Sequence, residues 1–176
     1  WEFEMLSRTI DRYGPEFVPE DCTIADWGIS YDELEPFYAR FERAVGVSGR
    51  AGNLAGQVVP GGNPWAGARS EEFPLPPLRH GAGPTLVTEA ARSLGWHPYP
   101  TPSAILSEDY TSPDGVSRPA CTYCGDCTWH LCSVGAKGDA RVAFVPIARR
   151  SPRFTVRDRA YVGEVTRAGT RVTGVR

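Results

Sequence analysis

Apolar residues along the chain fall into helical spacing in several places and into alternation in one. Between Asp26 and Gly46, the positions Leu34, Phe37, Phe41 and Ala44 recur every three or four residues, the period of one helical face. Ser30 and Glu33 precede them as a capping box, and Ile29 is placed to staple onto Leu34. Pro36 is too deep for a helix that begins at Ser30, because an interior position must donate an N–H that proline lacks. The pattern therefore predicts a short turn and then a helix over 35–45, opened by Pro36 and ended by Gly46. A second helix, over 84–94, is opened by Pro84, carries Leu86, Val87, Ala90, Ala91 and Leu94 on one face, and stops at Gly95. Weaker helical spacing links Trp1, Met5, Leu6 and Ile10, and residues 137–150 read as a helix interrupted at Pro146. From residue 154 the pattern alternates: Phe154 and Val156, Ala160 to Val162 and on to Val165, a turn at Ala168-Gly169, then Val172 and Val175. The fold class predicted is α+β.

Residues 47–83 and 96–120 show no sustained period. The chain holds 19 glycines and 16 prolines among 176 residues, which predicts long ordered loops in those stretches. Apolar content of 41% and charged content of 23% are ordinary for a globular domain. A net charge of −2, with Lys137 the single lysine and the arginines scattered, supplies no electrostatic basis for nucleic acid or an anionic membrane. No run of about eighteen apolar residues predicts a transmembrane segment, and no leader of the secretory type is present. The chain opens on Trp1 rather than methionine and stops at Arg176 within a strand-like pattern, which reads as a segment of a longer protein.

Among motifs, Gly81-Ala82-Gly83 begins a nucleotide-binding pattern, but Pro84 follows, no strand precedes, and Leu86 occupies the third glycine position. His80, His97 and His130 stand near no nucleophile elbow or H-E-x-x-H, and loop or surface histidine is the simpler reading of each. The concentrated chemistry is at Cys121, Cys124, Cys127 and Cys132, spaced C-x2-C-x2-C-x4-C. Thiolates two residues apart can turn toward one soft cation. The ferredoxin run shares the first spacings but has one residue fewer before its last cysteine and a proline after it, where this chain has Ser133. Spacing alone leaves three readings open: a metal or cluster site, in which His130 is a further potential ligand, a pair of disulfides, or a reduced structural turn.

Several segments together resemble the glucose–methanol–choline oxidoreductases, in their bacterial gluconate, sugar and choline dehydrogenase-like branch. They are DWGISYDELEPFYARFERAVGVSG (26–49), FPLPPL (73–78), RSLGWHPYPTPSAI (92–105), RPACTYCGDC (118–127), GAKGDARVAFVPIA (135–148) and the stretch 153–176. The resemblance implies a two-domain flavoprotein in which hydride passes from an alcohol or sugar CH–OH group to FAD while a histidine takes the hydroxyl proton. On that basis residues 1–136 form a loop-rich, substrate-side insertion and 137–176 the return to the FAD domain. The family's valine beside the adenine corresponds to Val162, the one cofactor-binding residue transferred. No catalytic residue is transferred, since none of the three histidines matches the family's base. The resemblance also implies an iron–sulfur cluster on Cys121, Cys124, Cys127 and Cys132, with a cytochrome or small electron-transfer subunit as partner, although the family's spacing begins with adjacent cysteines. The rival expectation is a stand-alone cysteine-loop metal-binding or interaction module without catalysis. A segment of a larger fold is further expected to leave apolar faces of the 84–94 helix and the 153–176 hairpin uncovered.

Overall fold

The computed structural model describes residues 2–176; Trp1, grouped above with Met5, Leu6 and Ile10, lies outside the described residues. Helices and short antiparallel strands coexist, as the α+β expectation requires. The helices are α1 (Met5–Tyr13), α2 (Tyr31–Val45), α3 (Ala82–Ser93), α4 (Ala140–Ala143) and α5 (Val145–Ala148). Short 3-10 turns lie at Glu2–Glu4 and Pro15–Phe17, and the strands form three separate antiparallel pairs: β1 (Asn53–Leu54) with β2 (Gln57–Val58), β3 (Tyr110–Thr111) with β4 (Ser117–Arg118), and β5 (Val165–Ala168) with β6 (Arg171–Val175).

α2 corrects the sequence expectation twice. It starts at Tyr31 and runs through Pro36 without a preceding turn. Ser30 Oγ accepts the Glu33 N–H at 3.2 Å and Glu33 Oε2 accepts the Ser30 N–H at 2.8 Å. Proline at the sixth helical position then forfeits only the bond to the Asp32 carbonyl, on an exposed turn. The second correction is the buried face. Phe37 and Phe41 are exposed, while Glu35, Ala39 and Val45 are buried. The reason is polar: Glu35 Oε1 accepts from both N–H and Oγ of Ser70 at 2.9 Å. Two turns on, the Glu42 carboxylate pairs with Arg69, whose guanidinium lies 3.9 Å over the Phe73 ring. The helix thus turns its carboxylates, not its phenyl rings, toward the 69–73 segment.

The core is small and built on irregular backbone. Residues 47–49 run between two extended segments: Gly49 N–H donates to Leu75 C=O at 2.9 Å, and Ser48 and Ser103 exchange bonds of 2.8 and 2.9 Å. Ser48 is buried because its hydroxyl is fully used, donating to Ile105 C=O at 2.6 Å and accepting from Ser107 N–H at 2.9 Å. Leu75, Leu106 and Ala136 pack at the centre. Gly46, at φ +73°, ends α2 where a side chain would strike Leu106 and Tyr110.

Helix α3 begins two residues before Pro84 and presents Leu86, Val87 and Leu94 to solvent. Pro146 lies in the first turn of α5, so the break in the 137–150 helix falls at Phe144. Residues 154–156 and 160–162 form no ladder among the described residues, which corrects the strands expected there. Alternation reveals a pleated segment but does not supply the partner strand that would pair it. Only the 165–175 part of the tail finds one.

Candidate functional site

The cysteine loop is held at its neck by the core. Leu106 is wholly buried, and its backbone reaches both ends of the loop: its C=O accepts from Cys121 N–H at 2.8 Å and its N–H donates to Ala136 C=O at 3.1 Å. Arg118, 7% exposed, crosses the same neck. Its guanidinium donates to Gly135 C=O at 3.2 Å and to the carbonyl of Val45, the last residue of α2. Burial pulls the Arg118 pKa down, and the Asp139 charge opposes that shift. Lys137 Nζ donates to Cys127 C=O at 2.6 Å, tying the middle of the loop back to its base. On the outer side Tyr123, at φ +56°, takes the Arg79 N–H on its hydroxyl at 3.0 Å and the Arg79 guanidinium over its ring at 4.4 Å.

All five cysteines are free thiols. Cys121 and Cys132 pack against the Leu75–Leu106–Ala136 core, Cys127 is half-buried, and Cys124 is exposed. Cys132 is held below the usual thiol range by the backbone amides that follow it, Lys137 foremost, against the opposing effect of burial. Cys127 is pushed up by burial and by negative charge at Cys121, Cys124 and Cys132, so the four thiols are electrostatic neighbours. A pocket of about 100 Å³ is lined by Cys124, Cys127, Cys132 and His130. The donor set suits a soft cation, yet among the described residues no three His, Cys, Asp or Glu side chains are arranged to hold a metal ion. His130 is exposed, as are His80 and His97.

Val162 lies far along the chain from this loop, in the stretch that leads into β5. Gly163 and Glu164 donate to the Arg176 C=O at 2.9 and 3.0 Å, while the Val162 N–H and C=O make no backbone bond among the described residues. Val162 itself is 51% exposed. Sequence reasoning missed Arg118 and Lys137 as the groups that fix the loop. Their signal was present, since one is the charged residue just before the first cysteine and the other the only lysine, but their partners are 73 and 10 residues away. No helix among the described residues is long and apolar enough to cross a membrane.

No family model matches the chain. Curated proteins do. Over 179 aligned residues, covering 99% of this chain and 29% of the relative, it is 40% identical to the gluconate 2-dehydrogenase flavoprotein of Pantoea cypripedii. It is 32% identical to paromamine 6'-oxidase of Streptomyces fradiae, over 83% of this chain and 24% of that protein. The large subunit of fructose dehydrogenase from Gluconobacter japonicus is 31% identical over 85% of this chain and 25% of its own length. The chain spans less than a third of the length of each of these relatives. Along nearly its whole length, it is similar to one stretch of a group of dehydrogenases and oxidases.

Proposed function

We propose that this chain forms part of a flavin-dependent oxidoreductase of the glucose–methanol–choline type, oxidising a CH–OH group of an alcohol, sugar or polyol. The observation that supports this is the 40% identity across 99% of the chain to a dehydrogenase named as a flavoprotein. The other relatives are named for fructose and paromamine, both rich in hydroxyl groups. Bound FAD would supply the hydride acceptor. This chain's part is to bind and to enclose: residues 137–176 form the flavin side, where the free backbone groups of Val162 meet the adenine, and residues 1–136 form the substrate side. The proton-accepting base is assigned to none of its residues.

The cysteine loop enters the proposal as the thiolate donor set of an iron–sulfur cluster, passing electrons onward to a cytochrome or small subunit. Four cysteines within twelve residues, three of them lining one pocket, support it; ligation further requires the sulfurs to close around one centre, an arrangement that the described residues do not show. The intact protein carrying this sequence, purified without oxygen, is to be assayed for dye reduction by gluconate, fructose and a simple alcohol, with iron measured in parallel. Turnover with at least one of these supports the enzyme, and its absence with flavin bound removes it. Iron that disappears in Cys124→Ser supports the cluster; iron-free protein with normal turnover makes the loop structural.

A further inference from the structure

A pocket of about 530 Å³ opens between the 59–65 turn and the C-terminal end of α3, within the range of small-molecule sites. Trp65 and Trp96 wall it, Pro60 and Pro64 stiffen one side, and Arg92 and His97 stand at its edge. Both indoles are mostly uncovered, Trp65 at 74% and Trp96 at 67% exposure. Their backbones are nonetheless locked. Trp65 N–H donates to Asn63 Oδ1 at 3.0 Å inside a turn closed by Ala66 N–H on Asn63 C=O at 3.1 Å. Trp96 follows Gly95, at φ +75°, in a Schellman ending of α3: Trp96 N–H bonds Ala91 C=O and Gly95 N–H bonds Arg92 C=O, each at 3.0 Å. The His97 ring stands edge-on to Trp65 with centroids 6.0 Å apart.

Two large apolar side chains that stand on hydrogen-bonded turns, line one pocket and are left mostly uncovered are walls suited to an occupant, since an indole buries roughly 150–250 Å² when covered. The polar groups at the edge choose its chemistry. Two indole N–H groups and the Arg92 guanidinium are donors only, the His97 imidazole alone among these side chains being able to accept, and among the described residues Arg92 enters no ion pair. An occupant must therefore offer C–H faces to the rings and acceptor oxygens around its perimeter. We propose that this pocket is a carbohydrate-binding site that stacks a sugar or sugar acid on Trp65 and Trp96 and takes a ring oxygen or carboxylate on Arg92. The choice of a polyol over other acceptor-rich molecules rests on the oxidoreductase reading above.

Indole N–H resonances of the 176-residue chain are to be followed while sodium gluconate and glucose are added separately. The expected result is saturable shifts of two indole signals, one of them missing in Trp65→Ala and the other in Trp96→Ala. Binding weakens roughly tenfold in either, the equivalent of about 1.4 kcal/mol. Arg92→Gln, at an exposed helix end that leaves the fold intact, is expected to weaken gluconate and leave glucose nearly unchanged. Shifts that stay linear with concentration, or that saturate at an unchanged concentration in both tryptophan variants, overturn the proposal. Indoles already shielded from a neutral quencher in the sugar-free intact protein would mean that polypeptide fills the pocket, and overturn it equally. Sugar binding here with no substrate turnover in the intact protein would remove the enzyme reading and keep the site. Turnover without sugar binding here would do the reverse.

Discussion

Arg118→Met tests whether a single buried cation holds the cysteine loop to the core. The substitution keeps an unbranched stem of similar length and removes the guanidinium, which lies 7% exposed with two carbonyl partners and no carboxylate. Hydrogen bonds from a charged donor contribute about 1.5–3 kcal/mol each, so two are worth roughly 3–6 kcal/mol. One of them completes the C-terminus of α2 at Val45, where a cation also meets the negative end of the helix dipole for a further fraction of about 1 kcal/mol. Against this stands the cost of keeping a guanidinium from water, the same burial that lowers its pKa, which the methionine no longer bears. The net expected loss is about 2–3 kcal/mol. With a urea slope of about 2 kcal/mol/M, the midpoint falls by roughly 1 M at unchanged slope. Urea unfolding followed by far-UV circular dichroism reads this directly. Arg118→Lys, whose ammonium is a compact point charge rather than a fork, is expected to lose about half as much. A midpoint identical to that of the parent protein in both variants would refute the reasoning, because water would then be replacing the guanidinium at Gly135 and Val45 without cost.

Pro36→Ala restores the bond to the Asp32 carbonyl inside α2 and is expected to raise stability by about 1–2 kcal/mol, read as a higher urea midpoint; a lower one would show that the proline is accommodated without loss. Asp26 accepts from the N–H groups of Leu6 and Ser7 at 2.9 and 3.1 Å, and the Ser7 hydroxyl and backbone hold its carboxyl below the usual range. Ser30 does the same for Glu33 through its backbone N–H and hydroxyl. A folded pKa depressed below the unfolded one gives stability that is present above the unfolded value and lost as pH falls through the folded one. The unfolding midpoint is therefore expected to drop on acidification through the carboxylate range, and Asp26→Asn to flatten that dependence; an equally steep profile in the variant would count against it. The exposed Leu86, Val87 and Leu94 of α3 are expected to bind a hydrophobic dye in the isolated chain, and Leu86→Gln to reduce the signal.

Local chemistry was legible in the sequence, and tertiary choice was not. The Ser30–Glu33 box announced the start of α2 because both partners lie within three residues. Gly46 and Gly95 announced two helix ends because a positive φ requires glycine there. The buried face of α2 was misread: hydrophobicity pointed to Phe37 and Phe41, whereas Ser70 and Arg69, some 27 to 35 residues on, draw in Glu35 and Glu42. Alternation at 154–162 said nothing of a partner strand, and the run is broken at Arg159, which has φ +51°. At the cysteine loop, spacing located the thiols, while the groups that position them, Leu106, Arg118 and Lys137, act across the fold. The walls of the Trp65–Trp96 pocket come from two segments without periodicity, and only their closure in space makes a site.

The central claim is that this chain serves a flavin-dependent oxidation of a hydroxyl-bearing substrate. The most direct measurement is anaerobic mixing of the intact flavin-loaded protein with gluconate, fructose or a simple alcohol while the visible absorbance of the flavin is recorded. The account predicts stoichiometric bleaching by at least one of them, reversed when an electron acceptor is admitted. Flavin that remains oxidised with every hydroxyl-bearing substrate, in protein shown to be folded, would contradict it.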